Sequence, residues 1–160
     1  MKFSPGPGKA SPRILRFQLS KLERALLLAT VQLFPMLKAD YHKLTKDPKS
    51  ANPAEQHLLE EAMERQNMEH KARAAQFLKA ELPFFRETED EVYLSLTPEQ
   101  LEWLLQVLND IRVGSWVKLG SPDADVVRRE NLAGEEARAV AAMDMSAYFQ
   151  SGLLEAFRAS

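Results

Sequence analysis

A short alternating strand that runs directly into a capped helix occurs twice in this chain, and no other feature limits the available folds as strongly. Leu15, Phe17 and Leu19 alternate with Arg16 and Gln18 and lead into Ser20-Lys21-Leu22-Glu23. Val92, Leu94 and Leu96 alternate with Tyr93 and Ser95 and lead into Thr97-Pro98-Glu99-Gln100, 77 residues further on. Alternation at a period of two gives each strand one apolar face. The Ser20/Glu23 and Thr97/Gln100 spacings are those of a capping box, in which two side chains satisfy N–H groups that a helix start leaves orphaned. A lone strand leaves its own N–H and C=O groups unpaired, so the two strands are expected to pair with each other. Charge agrees with that pairing: residues 1–24 carry a net +5 and residues 81–110 a net −7. Arg13 and Arg16 are therefore expected near Glu87, Glu89, Asp90 or Glu91, each exposed pair worth about 0.5 kcal/mol.

The helices follow from caps, prolines and apolar spacing. Lys21 to about Lys38 reads as a first helix, with Pro35 kinking its last turn. Leu22, Ala25, Leu26, Leu28 and Leu33 make it apolar around most of its circumference, which predicts a central position. Asn52-Pro53, with Glu55 three residues after the cap, starts a second helix reaching about Glu81. Pro98 to Leu119 is the third, with Leu101, Leu104, Leu105, Leu108 and Ile111 at helical spacing and Gly120 as its stop. Ser121-Pro122 is a further helix start, and Asp144 to Arg158 a final amphipathic helix with Met145, Phe149, Leu153 and Phe157 in one stripe. Residues 1–12 hold three prolines and two glycines and read as a flexible tail; Gly6-Pro7-Gly8-Lys9 lacks Walker spacing. The expected fold is α+β and mostly α, a helical bundle with one small two-stranded β-sheet, in a single domain over 13–160.

Composition narrows the function classes. With 160 residues, 45% of them apolar and 28% charged, the chain has the make-up of a globular domain. A net charge of −2 weighs against nucleic acid as a partner. The absence of cysteine excludes disulfides, thiol catalysis and thiolate metal sites, and suits a reducing cytoplasm. The longest apolar stretch, Ala25 to Leu37, contains Gln32 and Pro35 and falls short of the ~20 residues of a membrane span.

Few residues could carry chemistry. His57 shares a helical face with Glu60, Glu61 and Glu64, but neither HExxH nor the paired Glu-x-x-His motifs of a carboxylate metal site are present, so a solvated face is expected there. In the second helix the apolar stripe passes over Gln66, Asn67 and His70. That makes His70 either a hydrogen-bonded core histidine or part of a polar cavity or partner-facing notch. In the third helix Arg112 and Trp116, four residues apart, can stack, and Gly114 implies close packing. The C-terminal stripe either docks on the chain's own bundle or supports a homodimer.

The run Leu-Thr-Pro-Glu-Gln-Leu-Glu-Trp-Leu at 96–104, continuing through Leu-Asn-Asp-Ile-Arg at 108–112 and Lys-Leu-Gly at 118–120, resembles an uncharacterised bacterial domain-of-unknown-function family. Genes of that family often neighbour the gene of the Clp protease adaptor. The resemblance extends over about residues 13 to 158 and implies a fold more than an activity. It points to a non-enzymatic interaction or adaptor protein of the cytoplasm, linked to regulated proteolysis, binding a protein partner through Asn109, Asp110, Arg112 and Trp116. No catalytic residue, metal or cofactor is implied. The alternative is a small-ligand or metal-dependent enzyme using His70 or the His57/Glu60/Glu61/Glu64 cluster.

Overall fold

The structure, a computed structural model, describes residues 1–5, 13–79, 84–123 and 130–158. In order, the elements are β1 (Lys2–Pro5), β2 (Leu15–Leu19), α1 (Lys21–Val31), a 3-10 turn (Ala39–Tyr41), α2 (Pro53–Leu78), β3 (Phe85–Glu87), β4 (Val92–Leu96), α3 (Pro98–Lys118) and α4 (Gly134–Arg158). The two strands expected from alternation form and pair antiparallel, with Leu15 opposite Leu96, Phe17 opposite Leu94 and Leu19 opposite Val92. Both capping boxes close. Glu23 N–H donates to Ser20 Oγ at 3.1 Å and Ser20 N–H to Glu23 Oε2 at 2.7 Å, while Gln100 N–H donates to Thr97 Oγ1 at 3.2 Å and Thr97 N–H to Gln100 Oε1 at 2.9 Å. Asn52 caps α2 through the Ala54 N–H at 3.1 Å.

The two-stranded sheet is corrected to four strands in the order β1-β2-β4-β3, each neighbouring pair antiparallel. Residues 2–5, read as part of a flexible tail, form β1. Phe3 lies opposite Phe17 and the two rings pack 5.7 Å apart, so one aromatic contact fixes a strand that proline and glycine content concealed. Pro5 sits at the end of this edge strand, where its missing N–H costs no ladder bond. β3, only three residues long, joins β4 through the polar turn Thr88 to Glu91, closed by Thr88 N–H to Glu91 O at 2.8 Å.

The register also corrects the charge pairing. It sets Arg16 opposite Ser95, away from the acidic turn, which lies beyond Val92 at the Leu19 end. There Gln18 donates to Glu91, and Lys21 and Arg24 reach Glu87 at 3.2 and 2.9 Å.

Leu15, Phe17, Leu19, Val92, Leu94 and Leu96 turn one sheet face into the core. The central helix is α3, whose Leu101, Leu104, Val107, Leu108 and Ile111 are fully buried against the sheet, α1 and α4. α1, expected to be central and to run to about Lys38, instead ends at Val31 and buries only Leu27, Thr30 and Val31. α4 begins ten residues before the expected Asp144. Its first turns bury Ala139, Val140 and Ala142, small groups that make no conspicuous stripe. Phe149 and Leu153 of the expected stripe are buried in the chain's own core; the side chain of Phe157 lies outside the described residues. Ser121 follows Gly120 in a left-handed turn (φ 54° and 83°), and residues 124–129 of the expected short helix lie outside the described ones.

Candidate functional site

α2 is a 26-residue helix that buries only Ala74 and Phe77. Phe77 packs against Phe84, Phe85 and Trp103, with ring centroids 5.3, 5.4 and 5.7 Å away, so the helix is anchored at its C-terminal end. Ahead of the anchor, the side facing α3 is polar: Gln66, Asn67 and His70 are half-buried there. α3 answers with Glu99, Glu102, Gln106 and then Asn109 and Asp110, three and four residues beyond Gln106, so that they share one face.

Between these two stripes runs a trough of three adjoining hollows that share lining residues. The hollow nearest the 3-10 turn, about 110 Å³, is lined by His42, Gln66, Asn67, His70, Asn109 and Asp110 over an apolar floor that includes Phe34, Leu37 and Met63. A second, about 290 Å³, shares Gln66, His70 and Gln106 with it and adds Arg73, Glu99 and Glu102. The third, about 330 Å³, shares Arg73, Glu99 and Trp103 with the second and ends at Phe84. Trp103, 3% exposed, lines both of the larger hollows, and its indole N–H has no hydrogen-bond partner among the described residues. Gln66 donates to Gln106 across the trough at 3.4 Å.

Asp110 is the charged group at the foot of the trough. Its Oδ1 accepts the main-chain N–H groups of Met36 at 2.7 Å and Leu37 at 3.4 Å, which fixes the segment following the cis Phe34–Pro35 peptide. Burial raises its pKa, and the two N–H groups and the charges of His42 and His70 offset only part of that rise. No described Lys or Arg stands within ion-pair distance of it. His70 tilts against Phe34 with centroids 6.2 Å apart. Burial and then the Arg73 charge lower its pKa, against the opposing charges of Glu69 and Asp110. Of the two readings the sequence leaves open for this residue, the structure gives the polar cavity.

The four residues expected to form a partner face divide into two places. Asn109 and Asp110 line the trough. Arg112 donates to Gln150 of α4 at 3.4 Å, and the Trp116 indole donates to Pro122 O at 2.8 Å. The one cation–π contact among the described residues is Arg24 over Phe85, at 5.3 Å. Gly114 does mark close packing: a Cβ there would stand 2.5 Å from Met36 Cβ. His57 sits on the exposed face of α2, 3.3 Å from Glu61, and Glu60 accepts from Gln56 at 3.0 Å. Among the described residues no three His, Asp or Glu side chains are placed to share a metal ion.

Glu99, Glu102 and Gln106 of α3 are the part of the site that sequence reasoning missed. Their signal is present: Glu99, Glu102, Gln106 and Asn109 recur at helical spacing on an otherwise leucine-rich helix, matching the interruption of the α2 stripe.

The fold is therefore an α+β protein, mostly α, in which a four-stranded antiparallel sheet carries a central α3 and a loosely seated α2. The sequence model of a domain of unknown function, DUF2017, matches residues 38–157, and the chain belongs to that family. The matched segment begins after α1, so it includes both walls of the trough. No curated protein and no solved structure matches the chain. Among the described residues no helix is long and apolar enough to cross a membrane.

Proposed function

We propose that this protein is a non-enzymatic interaction protein of the cytoplasm whose recognition site is the trough between α2 and α3, and that it takes a basic segment of a protein partner there. The observation that carries the reading is Asp110, a half-buried carboxylate held by two main-chain N–H groups, with no Lys or Arg among the described residues within ion-pair distance. A buried charge without a counter-ion is costly, and a guanidinium or ammonium entering the 110 Å³ hollow removes that cost. Asn67 and Asn109, whose carboxamides make no hydrogen bond within the described residues, offer both donors and acceptors to a partner's main chain. Regulated proteolysis as the setting rests on the gene neighbourhood that the family resemblance implies. The test is a titration of isotope-labelled protein with N-acetyl-arginine amide, and with N-acetyl-glutamate amide as control. The arginine probe is expected to move the amide signals of Gln66, Asn67, Asn109 and Asp110 and to lose that effect in Asp110→Asn. Equal shifts from both probes, or none from either, overturn the proposal.

A further inference from the structure

The far end of the trough, the hollow of about 330 Å³ at the start of α3, is lined by donors whose companion acceptors are already committed. Thr97 Oγ1 and Gln100 Oε1 accept the Gln100 and Thr97 N–H groups at 3.2 and 2.9 Å, closing the capping box. Each side chain keeps a donor, the Thr97 hydroxyl proton and the Gln100 amide NH2, and neither is used among the described residues. Pro98 has no N–H and that of Gln100 is taken, so the open main-chain donor of the first turn is the Glu99 N–H. Arg73 of α2 lines the same hollow, with no described carboxylate within ion-pair distance. Trp103 supplies the independent observation that a ligand belongs here. It is 3% exposed and lines the hollow, yet its indole N–H donates to nothing among the described residues. A donor buried without an acceptor is costly and rare in folded proteins.

We propose that this hollow binds a carboxylate, which the Trp103 indole N–H and the Arg73 guanidinium share with Gln100 and Thr97 at the positive end of the α3 dipole. Charge selects the class of anion. Among the described residues the lining holds one cation, Arg73, and one acid, Glu99. Repulsion from Glu99 is twice as great for a phosphate dianion as for a carboxylate, and a single guanidinium balances only the latter. The rings of Phe84 and Trp103 give the carbon part of the ligand an apolar wall. Arg73 and Gln76 are exposed and change rotamer readily, so they can part to admit the ligand to the screened indole. No residue of this lining also lines the Asp110 hollow, so this proposal and the basic-segment reading stand or fall separately.

The chain has two tryptophans, and the indole of Trp116 is already held by Pro122 O at 2.8 Å, so the Trp103 signal has an internal reference. The test is a titration of the isotope-labelled full chain at fixed pH and ionic strength. N-acetyl-glycyl-glycine and acetate should each move the Trp103 indole proton downfield, as a new hydrogen bond does, and leave that of Trp116 in place. The neutral N-acetyl-glycyl-glycinamide should move neither. Tighter binding of the peptide assigns the carboxylate to a chain terminus, and tighter binding of acetate assigns it to a small organic acid. Arg73 is exposed, so Arg73→Gln keeps the fold, and its Kd should rise about tenfold as a charge-assisted bond gives way to a neutral one. Asp110→Asn should bind as the wild type does. A Trp103 signal that neither carboxylate moves, an equal shift from the amide, or an unchanged Kd in Arg73→Gln overturns the proposal. So does inorganic phosphate binding more tightly than either carboxylate, or loss of the effect in Asp110→Asn.

Discussion

The carboxylate of Asp110 accepts two main-chain N–H groups, yet burial lifts its pKa above the ordinary carboxylate range, so its ionised form is strained by its surroundings rather than favoured by them. An acid whose folded pKa exceeds its unfolded one stabilises the fold most below the unfolded value, near 4, and that contribution is lost as pH rises through the folded value. Asparagine keeps an acceptor for both N–H groups and carries no charge. Asp110→Asn is therefore expected to melt at a higher temperature than wild type at pH 7, with the two curves converging as pH falls below about 4. Thermal denaturation monitored by circular dichroism at both pH values checks this. Gly114 gives a prediction of opposite sign. Alanine improves helix propensity by about 1 kcal/mol, but its Cβ would overlap Met36 Cβ and approach the Met36 backbone. Gly114→Ala should lose about 2 kcal/mol in urea unfolding, the cost of overpacking outweighing the gain in propensity.

At the level of elements, Glu23 connects more of the molecule than any other side chain at a helix start. It completes the Ser20 cap, accepts from the Met1 ammonium ahead of β1, and accepts the Tyr148 hydroxyl of α4. Burial alone would raise its pKa, but these donors outweigh it and hold the value at about 2. Because the folded value lies below the unfolded one, the contribution is complete above about pH 4.5 and disappears as pH falls toward 2. Glu23→Gln should cost roughly 1 kcal/mol at pH 7, solvent screening at the helix start holding the loss to that size, and almost nothing at pH 2, measured by urea unfolding across that range.

The elements also show what local sequence can reveal. β2, β4 and the starts of α1, α2 and α3 were legible because alternation and capping are encoded within a few neighbouring residues. β1 and β3 were not, since Lys2–Pro5 and Phe85–Glu87 are strands only by virtue of the neighbours they pair with. The early start of α4 was hidden because Ala139, Val140 and Ala142 pack by being small. The site was half legible. His70 stood out as a polar interruption of an apolar stripe, and Asn109 and Asp110 were singled out, but Arg112 and Trp116 face other neighbours because a four-residue spacing fixes a helix face without saying what lies opposite it.

For the molecule as a whole, cohesion is uneven. α3 and α4 pack extensively and share the sheet's core, whereas α2 meets the body through polar side chains until Ala74 and Phe77. Opening free energy follows buried apolar contact, so amide hydrogen exchange should be markedly faster over residues 53–66 than over 101–111 of α3. Equal protection of the two segments would contradict the loose seating of α2.

The aromatic anchor at Phe77 gives this arrangement a mechanical consequence. From Phe77 to Pro53 the helix spans 24 residues, about 36 Å, held at one end by aromatic packing and near the other by the Gln56 hydrogen bonds to Leu44 N–H and His42 O, which any swing of the tip must carry along. A rotation of about 10° at the Phe77 cluster changes the width of the nearby hollow by only an ångström or so, yet carries the far tip, with its exposed Leu58, roughly 6 Å. Were the trough filled by the basic segment proposed above, leverage of that kind would turn a small change in its width into a much larger displacement of the tip.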